Sequence, residues 1–178
     1  MTDPVVVQRH TIRVLSAGQI LGGISFGATV SLGAVLAAEL GGDDALSGLA
    51  TAAITLGTAL TAMPLAALAR VRGRRPALAT GMTVALCGVG LVIGAVAVGS
   101  FALLLVGFVL IGAGQAANLQ SRFAATDLAT DTSRARELSI VVWTTTVGAV
   151  LGPNLVGPGE VLGATLGMPA LTGAYVFT

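Results

Sequence analysis

The five residues Gly23-Ile24-Ser25-Phe26-Gly27 have the G-x-S-x-G spacing of a nucleophile elbow, where a serine on a strained strand-to-helix turn attacks an acyl carbon. That chemistry needs a base within hydrogen-bond reach of the hydroxyl. The chain's one histidine, His10, lies in the polar N-terminal stretch, whereas Ser25 lies inside a long apolar run with no strand or turn signal. Glycines that let helices pack closely explain the match better, and no enzyme is expected. Cys87, the single cysteine, is surrounded by apolar residues and is read as a small apolar side chain. No ligand spacing for a metal and no phosphate-cradling loop appears, so no cofactor is expected. A proton gradient is left open as an energy source.

What remains is a set of uncharged polar side chains within apolar runs: Gln19, Ser25 and Thr29, then Gln115, Asn118 and Gln120, then Trp143 and Thr144 to Thr146. Such groups either recognise a small molecule or hydrogen-bond one helix to the next, and residue type alone does not separate these roles. The interiors of the runs carry no charge. An ionised side chain at the centre of a bilayer costs roughly 3 kcal/mol or more and normally marks an ion path. These runs are therefore expected to contain no proton-carrying carboxylate, with Glu160 assigned to a connection between spans.

The elements that hold these side chains are legible in charge and hydropathy. Charged residues make up 10% of the chain and hydrophobic ones 54%, and the mean hydropathy is +0.93. A soluble domain carries about 25% charged residues, so there is too little polar surface here to cover a water-exposed globule. The apolar runs are Val14–Ala38, Ala45–Ala69, Pro76–Ser121, Leu138–Gly159 and Val161–Thr178. Crossing about 30 Å of hydrocarbon takes roughly 20 helical residues, so Pro76–Ser121 holds two spans turning near Gly99–Ser100. The expected fold is an all-α membrane protein with five transmembrane helices and the start of a sixth. The spans are placed at about 14–37, 46–69, 76–98, 101–121 and 138–158, and from 170–178 onward, in a single membrane domain over 1–178.

All nine basic residues are arginines, and they alternate with the acids along this series. Arg9 and Arg13 precede the first span, Arg70, Arg72, Arg74 and Arg75 follow the second, and Arg122, Arg134 and Arg136 follow the fourth. The other connections carry Glu39, Asp43, Asp44 and Glu160. Arginines near span ends stay in the cytoplasm, which puts the N-terminus inside. Thr130-Asp131-Thr132-Ser133 offers N-cap chemistry for a short surface helix ahead of the fifth span, and Arg122 is expected to pair with Asp127 or lipid headgroups. Arginine without lysine, beside abundant alanine and glycine, suggests a bacterial source and the inner (plasma) membrane. Small residues recur four apart at Gly18/Gly22, Gly23/Gly27, Gly90/Gly94 and Gly148/Gly152, a spacing that suits close helix contact in lipid.

The loop Arg70-Val71-Arg72-Gly73-Arg74-Arg75-Pro76 resembles the cytoplasmic 2–3 loop of the major facilitator superfamily, a short turn ending in Gly-Arg-Arg. The resemblance makes Gly73, Arg74 and Arg75 a conformational-switch loop, although Arg70 and Ala66 stand where the family has an acid and a glycine. Gly148-Ala149-Val150-Leu151-Gly152-Pro153-Asn154-Leu155-Val156-Gly157 looks like the Gly-xxx-Gly-Pro signature of the drug:proton antiporter branch, its closing glycine displaced by one residue. Gly148, Gly152, Pro153 and Gly157 would then form a packing and kink seam. That branch usually has an arginine near Phe108 ahead of Gly112-Ala113-Gly114, and this chain does not.

The resemblance implies half of a twelve-helix bundle whose first and fourth helices line a central cavity. Gln19, Gln115 and Asn118 are its candidate substrate contacts. The implied function is secondary transport of small organic molecules, drug-like or metabolite, in the direction of export. The implied partners are the lipid bilayer, a small-molecule substrate and either a C-terminal half or a second copy, with no nucleic acid. The alternative is a truncated or remnant membrane protein with a structural or half-unit role and no transport of its own. A sixth span that stops about a dozen residues short leads us to expect part of a larger protein.

Overall fold

In the computed structural model, which describes residues 4–126 and 134–177, the chain is helical almost throughout. Thr130–Ser133, Asp127 and Asp131 lie outside the described residues. The elements are α1 (Pro4–Gly41), α2 (Ser47–Arg72), α3 (Arg74–Val98), α4 (Phe101–Thr126), α5 (Arg134–Asn154) and α6 (Val156–Thr165), with 3-10 turns at Asp44–Leu46 and Gly173–Phe177. Four helical stretches, the second including the 3-10 turn ahead of α2, are long and apolar enough to cross a membrane: Arg13–Gly41, Asp44–Arg72, Arg74–Val98 and Phe101–Phe123. The pair Leu138–Asn154 and Val156–Thr165, bent by 58°, passes the same test when taken together.

Local chemistry explains the ends of these helices. Asp43 accepts a hydrogen bond from the Ala45 amide at 2.9 Å and so caps the turn that leads into α2. A single residue, Gly73, separates α2 from α3; its φ of 94° is open to glycine and strained for any L side chain. Gly99 closes α3 in the left-handed conformation, and the Ser100 amide donates to the Ala95 carbonyl at 2.9 Å, which produces the turn expected at this place. Within the helices, the hydroxyls of Thr55, Thr61, Thr80 and Thr83 donate to carbonyls one turn back. This satisfies their polarity without a partner from another helix, as lipid surroundings require.

Packing follows small residues. Gly23 and Gly27 of α1 face Gly148, Ala149 and Gly152 of α5, and a Cβ on Gly152 would lie 2.5 Å from the Ile24 carbonyl. Gly57 of α2 meets the Val109 carbonyl of α4, and Gly112 of α4 meets α2 at Ile54 to Thr58. Gly81 and Gly88 of α3 seat on α4 in the same way. Gly23-Ile24-Ser25-Phe26-Gly27 is thus part of a helix interface. Phe108, Leu36, Leu104 and Val92 fill the centre of the bundle, while the outer surface keeps large apolar side chains such as Leu60 (61% exposed) and Met63 (82%). This inversion of the soluble pattern is what lipid solvation demands.

Two expectations need correction. The fifth span is not one helix over 138–158. It breaks at Leu155, because Pro153 supplies no amide to its own helix and its ring crowds the preceding turn. Residues 170–177, the described part of the expected sixth span (170–178 onward), do not form an α-helix: they turn back after Pro169 and form the 3-10 turn Gly173–Phe177, lying against α6. Here Gly159 and Gly163 make room for the returning backbone, since a Cβ on either would lie 2.6 or 2.5 Å from the Cα of Ala174 or Gly173. As a result Glu160 lies in the middle of α6, inside the bent pair, rather than in a connection between spans.

Candidate functional site

The groove that gathers two of the three expected substrate contacts, Gln115 and Asn118, runs between α1 and α3 with α4 as its floor. It encloses about 350 Å³. Leu21, Phe26, Met82, Leu86, Val89 and Ile111 give it apolar walls, and Ser25, Gln115 and Asn118 supply the polar groups. Asn118 is 3% exposed, and its Oδ1 is buried with no hydrogen-bond partner among the described residues. Its amide nitrogen lies 2.6 Å from where a Gly22 Cβ would stand, so the bare backbone of Gly22 creates the space that the Asn118 side chain occupies. A buried amide oxygen without a donor costs roughly 1–3 kcal/mol, a penalty that a hydroxyl or amine of a bound molecule would remove.

Gln19, the third expected contact, is not part of this lining. It is 2% exposed and joins three helices. Its Nε2 donates to the Asn118 carbonyl at 3.3 Å and to the Ser121 hydroxyl at 2.5 Å, and its Oε1 accepts from the Thr145 hydroxyl. The Ser121 hydroxyl donates onward to the Asn118 carbonyl at 2.6 Å. Gln19 therefore links α1 to α4 and α5 beside the groove. Gln120, also named as a candidate, donates to the Ala62 carbonyl of α2 at 3.2 Å.

The remaining expected residues are dispersed. Arg75 is exposed beside Gly73, and Arg74 is partly covered. Gly148 and Gly152 pack on α1, Pro153 sits just before the break, and Gly157 has nothing within 4 Å of its Cβ position. Arg122 keeps a buried Nε with no partner among the described residues, and its expected partner Asp127 lies outside them. The same is true of neither end of Glu160, whose two oxygens accept from the amides of Leu171 and Gly173, each at 2.9 Å. Sequence reasoning named Gly22 as a packing residue and Thr145 among the polar candidates without their partners, and it missed Ser121. Small residues one turn apart on α1 and α4 were the available signal, but the partners lie about a hundred positions away.

Within this all-helical, lipid-facing architecture, residues 15–176 match the model of the Major Facilitator Superfamily, and the chain belongs to that family. It is 39% identical over 171 residues to YddS of Bacillus subtilis (strain 168), described as an uncharacterized MFS-type transporter; the match covers 96% of this chain and 39% of that protein. YdeG of the same organism, described in the same words, is 39% identical over 168 residues, covering 94% of this chain and 39% of its own. The riboflavin transporter RfnT of Brucella anthropi is 35% identical over 157 residues, covering 88% of this chain and 39% of its own. The chain thus spans about two fifths of the length of these bacterial relatives. No solved structure matches it.

Proposed function

We propose that this chain is most of one half of a secondary transporter for small organic molecules, and that the groove beside Asn118 contacts the cargo. The observation that carries this reading is the unpartnered, buried Asn118 Oδ1 among apolar walls. A site with one amide acceptor, a second amide and a hydroxyl, and no charge in its lining, suits a neutral molecule that donates hydrogen bonds from an otherwise apolar body. Transport would come from one half rocking against the other about a central site. Export and membership of the drug:proton antiporter branch rest on the likeness of the Gly148–Gly157 stretch alone. Riboflavin, the cargo named for one relative, is neutral, bears several hydroxyls and is a suitable first probe.

The test uses the complete protein in cells freed of other riboflavin carriers, with riboflavin and a set of neutral dyes followed by fluorescence. Asn118→Leu should raise the half-saturating concentration of a carried compound about tenfold, the worth of a hydrogen bond made in a dry site. Transport with an unchanged half-saturating concentration would reduce the groove to packing space. If none of the compounds moves, the proposed cargo class is wrong.

A further inference from the structure

We propose that Gly18 sets the size of cargo that the groove accepts. Its missing side chain is the space into which the cargo's apolar body extends while Asn118 takes the hydrogen bond. This rests on the reading of the groove given above, and adds to it the position that discriminates between cargoes of that class.

Three glycines line the groove, Gly18, Gly22 and Gly114, and their surroundings differ. A Cβ on Gly114 would lie 2.8 Å from the Ala85 Cβ of α3, so that glycine brings α3 onto α4. A Cβ on Gly22 would lie 2.6 Å from the Asn118 amide nitrogen, so that glycine makes room for the Asn118 side chain. Gly18 has no atom of the described residues within 4 Å of its Cβ position. Two of the three absences are filled by the protein itself, and the third adds to the groove.

Helix geometry shows where a side chain at Gly18 would go. At about 100° per residue, Leu21 and Ser25 lie about 60° and about 20° to one side of Gly18, and Gly22 about 40° to the other. All four line the groove, so Gly18 stands inside the arc of α1 that faces it. Gly22 of α1 and Gly81 of α3 meet α4 at Asn118 and Ala117, which puts Gly22, Gly81 and Asn118 at one level. Gly18 is one turn of helix, about 6 Å, nearer the end that carries Arg13, Arg74 and Arg122. The open space at Gly18 therefore adjoins Asn118, whose Oδ1 is buried without a hydrogen-bond partner on a side chain only 3% exposed.

These two neighbours divide the recognition between them. Asn118 Oδ1 selects for a donor, and the space at Gly18 selects for what the donor is attached to. Every carbon added at position 18 is taken from a groove of about 350 Å³, beside the acceptor. Glycine is the smallest residue there is, so this chain stands at the wide end of what position 18 can admit. The favoured cargo is a neutral molecule with a bulky apolar body directly next to its hydrogen-bond donor. Gly22 differs in kind, because a methyl there displaces the Asn118 amide and alters the hydrogen bond instead of the volume.

The test uses the complete protein in cells freed of other riboflavin carriers, with riboflavin as the probe. Gly18→Leu should raise its half-saturating concentration about tenfold or more, as overfilling a packed site does. Gly18→Ala should raise it less. Gly94→Leu, at a glycine of α3 with equally open surroundings outside the groove, should leave it within about twofold. If Asn118→Leu weakens transport while Gly18→Leu does not, this inference fails and the groove stands. If the unsubstituted protein moves no riboflavin, or Asn118→Leu has no effect, the groove reading fails and takes this inference with it. In case Gly18→Leu does not insert, Gly18→Cys over Cys87→Ser is alkylated with a maleimide, position 18 being exposed. Riboflavin at about ten times its half-saturating concentration should slow that reaction about tenfold. Alkylation at an unchanged rate overturns the inference as well.

Discussion

Gln19 shows how one side chain can be read in two ways until its neighbours are known. A glutamine in an apolar helix is equally suited to hold a cargo or a neighbouring helix. Here both ends of its amide are occupied by Asn118, Ser121 and Thr145. The loss on replacing it is bounded, because Ser121 and Thr145 retain carbonyls of their own helices, at Asn118 and Val141, as acceptors. Interhelical hydrogen bonds in membranes average about 0.6 kcal/mol, since the unfolded reference also finds partners. Gln19→Leu should therefore cost about 1–2 kcal/mol in a reversible unfolding titration in mixed micelles. A loss above about 4 kcal/mol would mean that the glutamine supports far more than these bonds.

At the scale of the helices, glycine spacing was legible but its meaning was not. The pairs Gly23/Gly27 and Gly148/Gly152 do meet each other, whereas Gly18, Gly90 and Gly94 have the same spacing and nothing within 4 Å. The contact between Gly57 and the Val109 carbonyl belongs to no such pair in the sequence. A spacing of four puts two residues on one face, and only the arrangement of the whole bundle decides whether that face has a neighbour. This sets up a comparison between identical substitutions. Gly57→Ala should destabilise by several kcal/mol, because the added methyl collides with backbone that has nowhere to go. Gly94→Ala should be neutral or stabilise by up to about 1 kcal/mol, the helix propensity gained with no steric cost. Thermal unfolding of the two variants in the same detergent checks both. Equal effects would show that α2 and α4 do not approach as closely as their glycines allow.

For the molecule as a whole, the apolar runs and their arginine borders were enough to locate α1 to α4 and the turns at Gly73 and Gly99, because span length and cap chemistry are local. A kink at Pro153 was legible for the same local reason, whereas the full break at Leu155 and the return of 166–177 were not, since they depend on how these segments pack on each other and on α1. Orientation is the remaining global property. At one end of the bundle are Arg13, Arg70, Arg72, Arg74, Arg75 and Arg122, and at the other Glu39, Asp43 and Asp44. Guanidinium groups at span ends resist transfer across the bilayer during insertion, while acids contribute little, so the arginine end should face the cytoplasm. With Cys87 replaced by serine, a cysteine at Asp43 should react with an impermeant maleimide on intact cells, and one at Arg72 only after lysis. Both positions are exposed, so burial cannot mimic protection. The reverse pattern would mean that the chain inserts against its own charge bias. Labelling of both sites on intact cells would show that the two ends do not lie on opposite sides of the membrane.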